Sequence, residues 1–257
     1  MSAAALTTTP TAPVLRGRVS SGTVLAVASF GAFLAFLDAT IVNVAFPSIR
    51  ESFPDSTISN LSWVLNAYNI VFAAFLVPFG RLTDLIGRRR AFVGGVLAFT
   101  VASVICAVSP SLLFLIAARV LQALGAAMLV PASLALVVAA FPSERRSHAV
   151  GLWGATAALA SGLGPPIGGL LIEFGDWRWA FLINLPFGIA AWVLARRSLV
   201  ESRAPGRRLL PDLGGAALFA LSLGLLTLAI VQGNEWGWTS PAVLACFVSS
   251  AVLLLGL

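Results

Sequence analysis

The sequence predicts an all-α, polytopic membrane protein, and three observations carry that prediction. Of 257 residues, 59% are hydrophobic and only 10% are charged, too little charge to cover a soluble domain of this size. Apolar runs close to the ~20 residues a helix needs to cross ~30 Å of hydrocarbon follow one another along the chain. The strict alternation over ~10 residues that marks a β-barrel span is absent from the sequence.

Eight runs result, at residues 23–46, 62–80, 91–109, 111–131, 149–172, 179–197, 212–232 and 240–257. Ahead of them, residues 1–20 are rich in Ala, Thr and Pro and read as a disordered cytoplasmic tail. The first run is too long for a signal peptide, contains Asp38 and lacks a small-residue cleavage site, so it reads as a retained span. Short connections join the first six runs into one unit over residues 21–197. Residues 198–211 read as a basic cytoplasmic linker, and 212–257 as two additional spans. The last run ends without a polar flank, which predicts that it is truncated and that a longer protein continues beyond it.

Charge sets the orientation. All sixteen basic residues are Arg. With the N-terminus cytoplasmic, Arg16, Arg18, Arg81, Arg88, Arg89, Arg90, Arg145, Arg146, Arg196, Arg197, Arg203, Arg207 and Arg208 fall inside. Only Arg50 and Arg178 fall outside, and Arg119 lies within a span. Positive charge gathers on the cytoplasmic side of membrane proteins, so this orientation is expected. The same distribution accounts for the net charge of +6 without a nucleic-acid partner. Cys106 and Cys246 lie in different apolar runs and read as structural thiols. His148 is the only histidine, and neither a metal cluster nor a catalytic constellation is visible. An enzyme is therefore not expected.

Several stretches carry chemistry. Gly80-Arg81-Leu82-Thr83-Asp84-Leu85-Ile86-Gly87-Arg88-Arg89-Arg90 forms the cytoplasmic connection between the second and third runs. Gly80 and Gly87 permit a tight turn and close helix approach. Asp84 can pair with a guanidinium and sit near a helix N-terminus, where negative charge is favoured. An ordinary positive-inside loop with one incidental acid fits the same residues. In the fifth run Gly164 and Gly168 make a small face for close contact, and Pro165 and Pro166 bend the helix. A kinked packing helix has the same features. On the second run Trp63, Asn66, Tyr68 and Asn69, with Asn184 on the sixth, offer aromatic or amide contacts to a substrate, although such aromatics also serve as packing or interfacial residues.

Ionisable groups within spans are costly and functional by default. Asp38 and Arg119 are the two that sit far from span ends. Counted from Pro47 and Pro110, each lies roughly 13 Å below the outer boundary at 1.5 Å per residue. Thr40, Asn43 and Gln122 lie close to them in sequence and extend a polar strip. A structural ion pair that fixes helix register is the alternative to a functional one.

These stretches resemble the major facilitator superfamily. Gly80, Asp84, Gly87, Arg88 and Arg89 match its cytoplasmic signature, and Leu85 departs from it where a basic residue is common. Leu37-Asp38-Ala39-Thr40-Ile41-Val42-Asn43-Val44-Ala45-Phe46-Pro47 looks like the first-span signature of the drug:proton antiporters, above all their fourteen-span branch. The segment from Arg119 to Ala127 is similar to the fourth-span motif implicated in proton transfer, with Ala123 in place of Gly. Gly151, Gly164, Pro165, Gly168 and Gly169 resemble the exporters' antiporter motif, with Ala160 in place of Gly. Trp177 to Pro186 opens the sixth span as in the superfamily.

The resemblance covers about residues 20–257 and implies a major facilitator six-helix N-terminal bundle plus about two further transmembrane helices. In that fold the first and fourth helices line a central cavity, which implies that Asp38 and Arg119 meet. It also implies a cytoplasmic gate at Gly80, Asp84, Gly87, Arg88 and Arg89. The expected function is proton-coupled efflux of drug-like or amphipathic small molecules across the inner (plasma) membrane. Asp38 would carry the proton and Arg119 would modulate it, since a guanidinium keeps its own proton. Asn43, Trp63, Asn66, Tyr68, Asn69 and Gln122 are the candidate cavity residues. The expected partners are substrate, protons, lipid and a C-terminal bundle outside this chain; no cofactor or metal is expected. The alternatives are another major facilitator carrier, of a metabolite, or a non-transporting fragment.

Overall fold

A computed structural model describes residues 20–203 and 212–256. The tail expected at 1–20, apart from Ser20, lies outside the described residues, as does the linker from 204 to 211. Among the described residues the regular structure is all helix: α1 (Ser21–Ser52), α2 (Ile58–Ile86), α3 (Arg88–Ala107), α4 (Leu112–Ala140), α5 (Ser143–Glu173), α6 (Trp179–Leu182), α7 (Asn184–Ser198), α8 (Leu213–Trp236) and α9 (Pro241–Leu255). Helices α6 and α7 together make one membrane-length segment broken at Ile183. Seven segments are long and apolar enough to cross a bilayer, and α9 is a shorter apolar helix.

Hydroxyl and carboxylate caps fix where several helices start. Ser20 accepts from the Thr23 amide, Thr57 from Asn60 and Ser111 from Phe114. Asp212 accepts from Gly215, and Ser240 from Val243 with Pro241 in the first turn of α9. Each cap satisfies an amide that has no partner inside its helix.

The helices outrun the apolar runs that predicted them. Helix α1 continues through Pro47 to Ser52, so Pro47 is an interior residue of the helix. Pro78, Pro131, Pro165 and Pro166 are likewise interior, as packed membrane helices allow. The connection expected from Gly80 to Arg90 is also mostly helix. Helix α2 runs to Ile86, α3 begins at Arg88, and Gly87 alone turns the chain, at φ 110°. Nothing from Arg81 to Ile86 breaks a helix, whereas Gly87 adopts a positive φ without steric penalty.

Helices α1, α3 and α4 form the centre of the bundle. Close backbone approach holds them together, because helices in lipid associate by packing rather than by expelling water. A β-carbon on Gly125 would fall 2.6 Å from the Phe99 amide nitrogen, so α3 and α4 meet backbone to backbone there. Helix α5 packs on α1, α7 on α3 and α1, and the α8–α9 hairpin on α2. At the hairpin's tip Ser59 Oγ donates to Glu235 Oε1 at 2.7 Å. Two apolar clusters fill the bundle. One contains Leu34, Phe92, Phe99 and Leu129, the other Leu37, Ile41, Leu115 and Phe181. Asp38 lies on α1 where the two clusters meet.

Candidate functional site

Five helices converge on one buried polar cluster. Asp38 comes from α1, Ser103 from α3, Arg119 and Gln122 from α4, and Asn184 from the start of α7, with a backbone carbonyl from α2. Asp38, Gln122, Ser103 and Asn184 are 0% exposed and Arg119 is 1% exposed. Arg119 Nη1 donates to Asp38 Oδ2 at 2.8 Å and to Gln122 Oε1 at 2.6 Å. Arg119 Nε donates to the Val64 carbonyl at 3.1 Å. Asp38 Oδ1 accepts from Gln122 Nε2 at 2.9 Å and from Asn184 Nδ2 at 2.6 Å.

This arrangement is what a buried ion pair requires. Attraction between the charges offsets their desolvation only when further hydrogen bonds satisfy the remaining donors and acceptors. One charge and two amides bind the carboxylate, while an aspartate, an amide and a carbonyl bind the guanidinium. Tyr68 closes the site from α2, its ring centroid 4.0 Å from Arg119 Cζ, and Phe181 lies 5.7 Å away. The face of each ring is negative, which favours the cation beside it. Helix spacing explains why Arg119 and Gln122 act together, since residues three apart share one face.

Of the candidate cavity residues, Gln122 is an enclosed member of this cluster and Tyr68 is its 3%-exposed cover. The others lie apart from it. Asn43 is exposed and donates back to the Ala39 carbonyl at 2.9 Å. Asn66 donates to Ser62 Oγ at 3.3 Å, and Asn69 is exposed. Trp63 lines a crevice of about 490 Å³ between α2 and α4, with Asn60, Leu112, Leu113 and Ile116. Thr40 donates to the Leu37 carbonyl and packs against Gly164.

Sequence reasoning missed Ser103, which accepts from both Gln122 and Asn184, and it read Asn184 as a substrate contact. Asn184 comes from the first turns of the sixth apolar run, and a lone amide within that run was the available signal. Nothing distinguishes Ser103 from other serines in the sequence.

At the α2–α3 turn, Arg88 Nη2 lies 3.4 Å from Asp84 Oδ1, one helical turn apart across Gly87. Arg89 donates from Nη2 to the Arg196 carbonyl at 2.8 Å. A second missed residue, Glu201, caps α3 from outside. Its Oε1 accepts from the Arg89 amide at 3.1 Å and its Oε2 from the Arg90 amide at 3.2 Å. Gly87 has no side chain with which to cap α3, and a β-carbon there would collide with the Glu201 carboxylate. A carboxylate at this position also meets the positive end of the helix dipole. Gly80 faces α4, where a β-carbon would contact Pro131 at 3.6 Å.

The fifth-span glycines divide into two sets. Gly164 presses on Thr40, and Gly168 lies against Val44 and Ile41, so both face α1. Gly151 and Gly169 have open space where a β-carbon would be, and Pro165 and Pro166 are exposed.

Membrane-length helices thus surround an enclosed acid–arginine–amide cluster, with a charged glycine turn at one end of the bundle. The chain belongs to the Major Facilitator Superfamily, which it matches over residues 28–257. It is 39% identical over 230 residues to the methylenomycin A resistance protein of Bacillus subtilis (strain 168), covering 89% of this chain and 49% of that one. It is 41% identical over 224 residues to the multidrug resistance protein Stp of Mycobacterium tuberculosis (strain CDC 1551 / Oshkosh), covering 86% of this chain and 41% of that one. The chain thus spans about half the length of the curated relatives it matches. Its fold is similar to the inward-facing, occupied crystal structure of a bacterial homolog of the human lysosomal transporter Spinster. There the TM-score is 0.66 at 18% identity, over 92% of this chain and 59% of that one.

Proposed function

We propose that this chain is the N-terminal portion of a proton-coupled exporter of drug-like or amphipathic small molecules, and that Asp38 carries the proton. The enclosed cluster around Asp38 is the observation that carries this reading. A carboxylate within a membrane span is costly and functional by default, and the guanidinium beside it does not release a proton itself. Because Tyr68 and Arg119 cover Asp38, exchange with water requires a state in which these helices part. Binding of substrate to a cavity beside α1 and α4 would favour that state. Relatives named for methylenomycin A resistance and multidrug resistance support a drug-like cargo. On this reading Gly80, Asp84, Gly87, Arg88 and Arg89 form the cytoplasmic gate. Gly151 and Gly169 face the C-terminal bundle of the longer protein, and residues 212–257 supply two spans beyond the six of 21–197, joined by the linker at 198–211. The N-terminus lies in the cytoplasm and the protein in the plasma membrane.

Complete burial also favours a second reading, in which Asp38 and Arg119 only fix the register of α1 against α4. Substrate-induced proton release from the purified full-length protein, with a panel of lipophilic cations, separates the two. The exporter reading expects release that disappears in Asp38→Asn. Equal release from the variant would leave Asp38 a structural residue.

A further inference from the structure

Within the cluster every amide but one is fully committed. Gln122 spends both amide hydrogens, on Asp38 and Ser103, and its oxygen accepts from Arg119 at 2.6 Å. Were it to turn over, its amino group would face the guanidinium. Ser103 accepts from two amides and gives its own hydrogen to the Phe99 carbonyl at 2.8 Å. Asn184 spends its two amide hydrogens on Asp38 and Ser103, yet its Oδ1 is enclosed with no partner. A buried acceptor left without a donor is costly.

That vacant acceptor becomes useful when Asp38 is neutral. A proton from water that bonds to Oδ1 turns this oxygen from an acceptor of two amides into a donor. It then needs an acceptor, while Arg119 stays on Oδ2. The oxygen of Gln122 accepts from both Arg119 and the Cys106 thiol, and both lone pairs of Ser103 are taken. Only the Asn184 oxygen is free, and a half-turn about its Cβ–Cγ bond brings it to Asp38. We infer that Asn184 is a positioning residue whose side-chain amide turns over when Asp38 takes up a proton, donating to the carboxylate and accepting from the acid. This rests on the reading of Asp38 as the proton carrier. The charged and titratable groups facing Asp38 are Arg119 from α4, Tyr68 from α2 and Cys106 from α3. Helices α5 and α7 carry their charges in their end turns, and α6 has none. Asn184 is also the first residue of α7, next to Ile183, whose backbone stays helical between α6 and α7.

Infrared difference spectra of the full-length protein in lipid nanodiscs, with asparagine side-chain carbonyls labelled with carbon-13, test this as the pH is lowered. The expected result is a protonated-carboxyl band from Asp38 and, with the same midpoint, a shift of one labelled carbonyl to lower frequency. Asn184→Leu should abolish the carbonyl shift while the carboxyl band still appears. If Asn184→Leu does not fold, Asp38→Asn serves instead, because a permanently neutral side chain should leave the Asn184 carbonyl independent of pH. A carboxyl band that titrates with no carbonyl shift would overturn the role of Asn184 and leave the carrier reading intact. No titrating carboxyl band from Asp38 would overturn both.

Discussion

At 2.8 Å from Arg119, Asp38 is one half of a charge pair kept from water by five helices. Removing either charge strands the other in a medium that cannot solvate it. Asp38→Ala is expected to lower stability by about 3–5 kcal/mol. The double variant Asp38→Ala/Arg119→Met should recover a large part of that loss, because it removes the stranded charge as well. Unfolding of the unaltered protein, Asp38→Ala, Arg119→Met and the double variant in one detergent–lipid mixture gives the coupling directly. A double variant less stable than Asp38→Ala would mean that Arg119 stabilises the bundle mainly through Val64 and Tyr68. The sequence marked both residues as ionisable groups within apolar runs, and the family resemblance implied that they meet. The surroundings of the pair were not legible. Asn184 reaches Asp38, and Ser103 reaches the amides of Gln122 and Asn184, through packing that no local spacing encodes.

Among the elements, α5 draws the sharpest distinction between residues that share one motif. Any side chain at Gly164 would collide with Thr40, so Gly164→Leu should force α1 and α5 apart. Overpacking of this kind costs about 1–3 kcal/mol. Gly169→Ala meets nothing within 4 Å in the bundle and should leave its melting temperature unchanged or slightly raised. Thermal unfolding of the two variants checks this, and equal losses would show that the α1–α5 contact is not what the motif protects here. Helix existence was legible from apolar runs, while helix ends were not. Composition marks where lipid begins and ends, whereas hydrogen bonding continues until a cap or a Gly87 stops it. Helix α2 therefore continues through its charged last turns and meets α3 at a single residue.

For the whole molecule, the arginine distribution makes an orientation that can be measured directly. With Cys106 and Cys246 replaced by Ala, Arg178→Cys should react with a membrane-impermeant maleimide added to intact cells. Arg81→Cys should react only after permeabilisation, and the opposite pattern would invert the topology. The paired charges in the middle of the bundle also set how it responds to the membrane's electric field. With Asp38 ionised, the cluster carries no net charge and the field exerts no net force on it. A proton on Asp38 leaves the charge of Arg119 unopposed. Moving one charge across the full membrane is worth ~2.3 kcal/mol per 100 mV, and a charge part-way through feels the matching fraction. On the proposed reading of Asp38 as the proton carrier, an inside-negative voltage would pull on the loaded bundle toward the cytoplasm and leave the empty one alone.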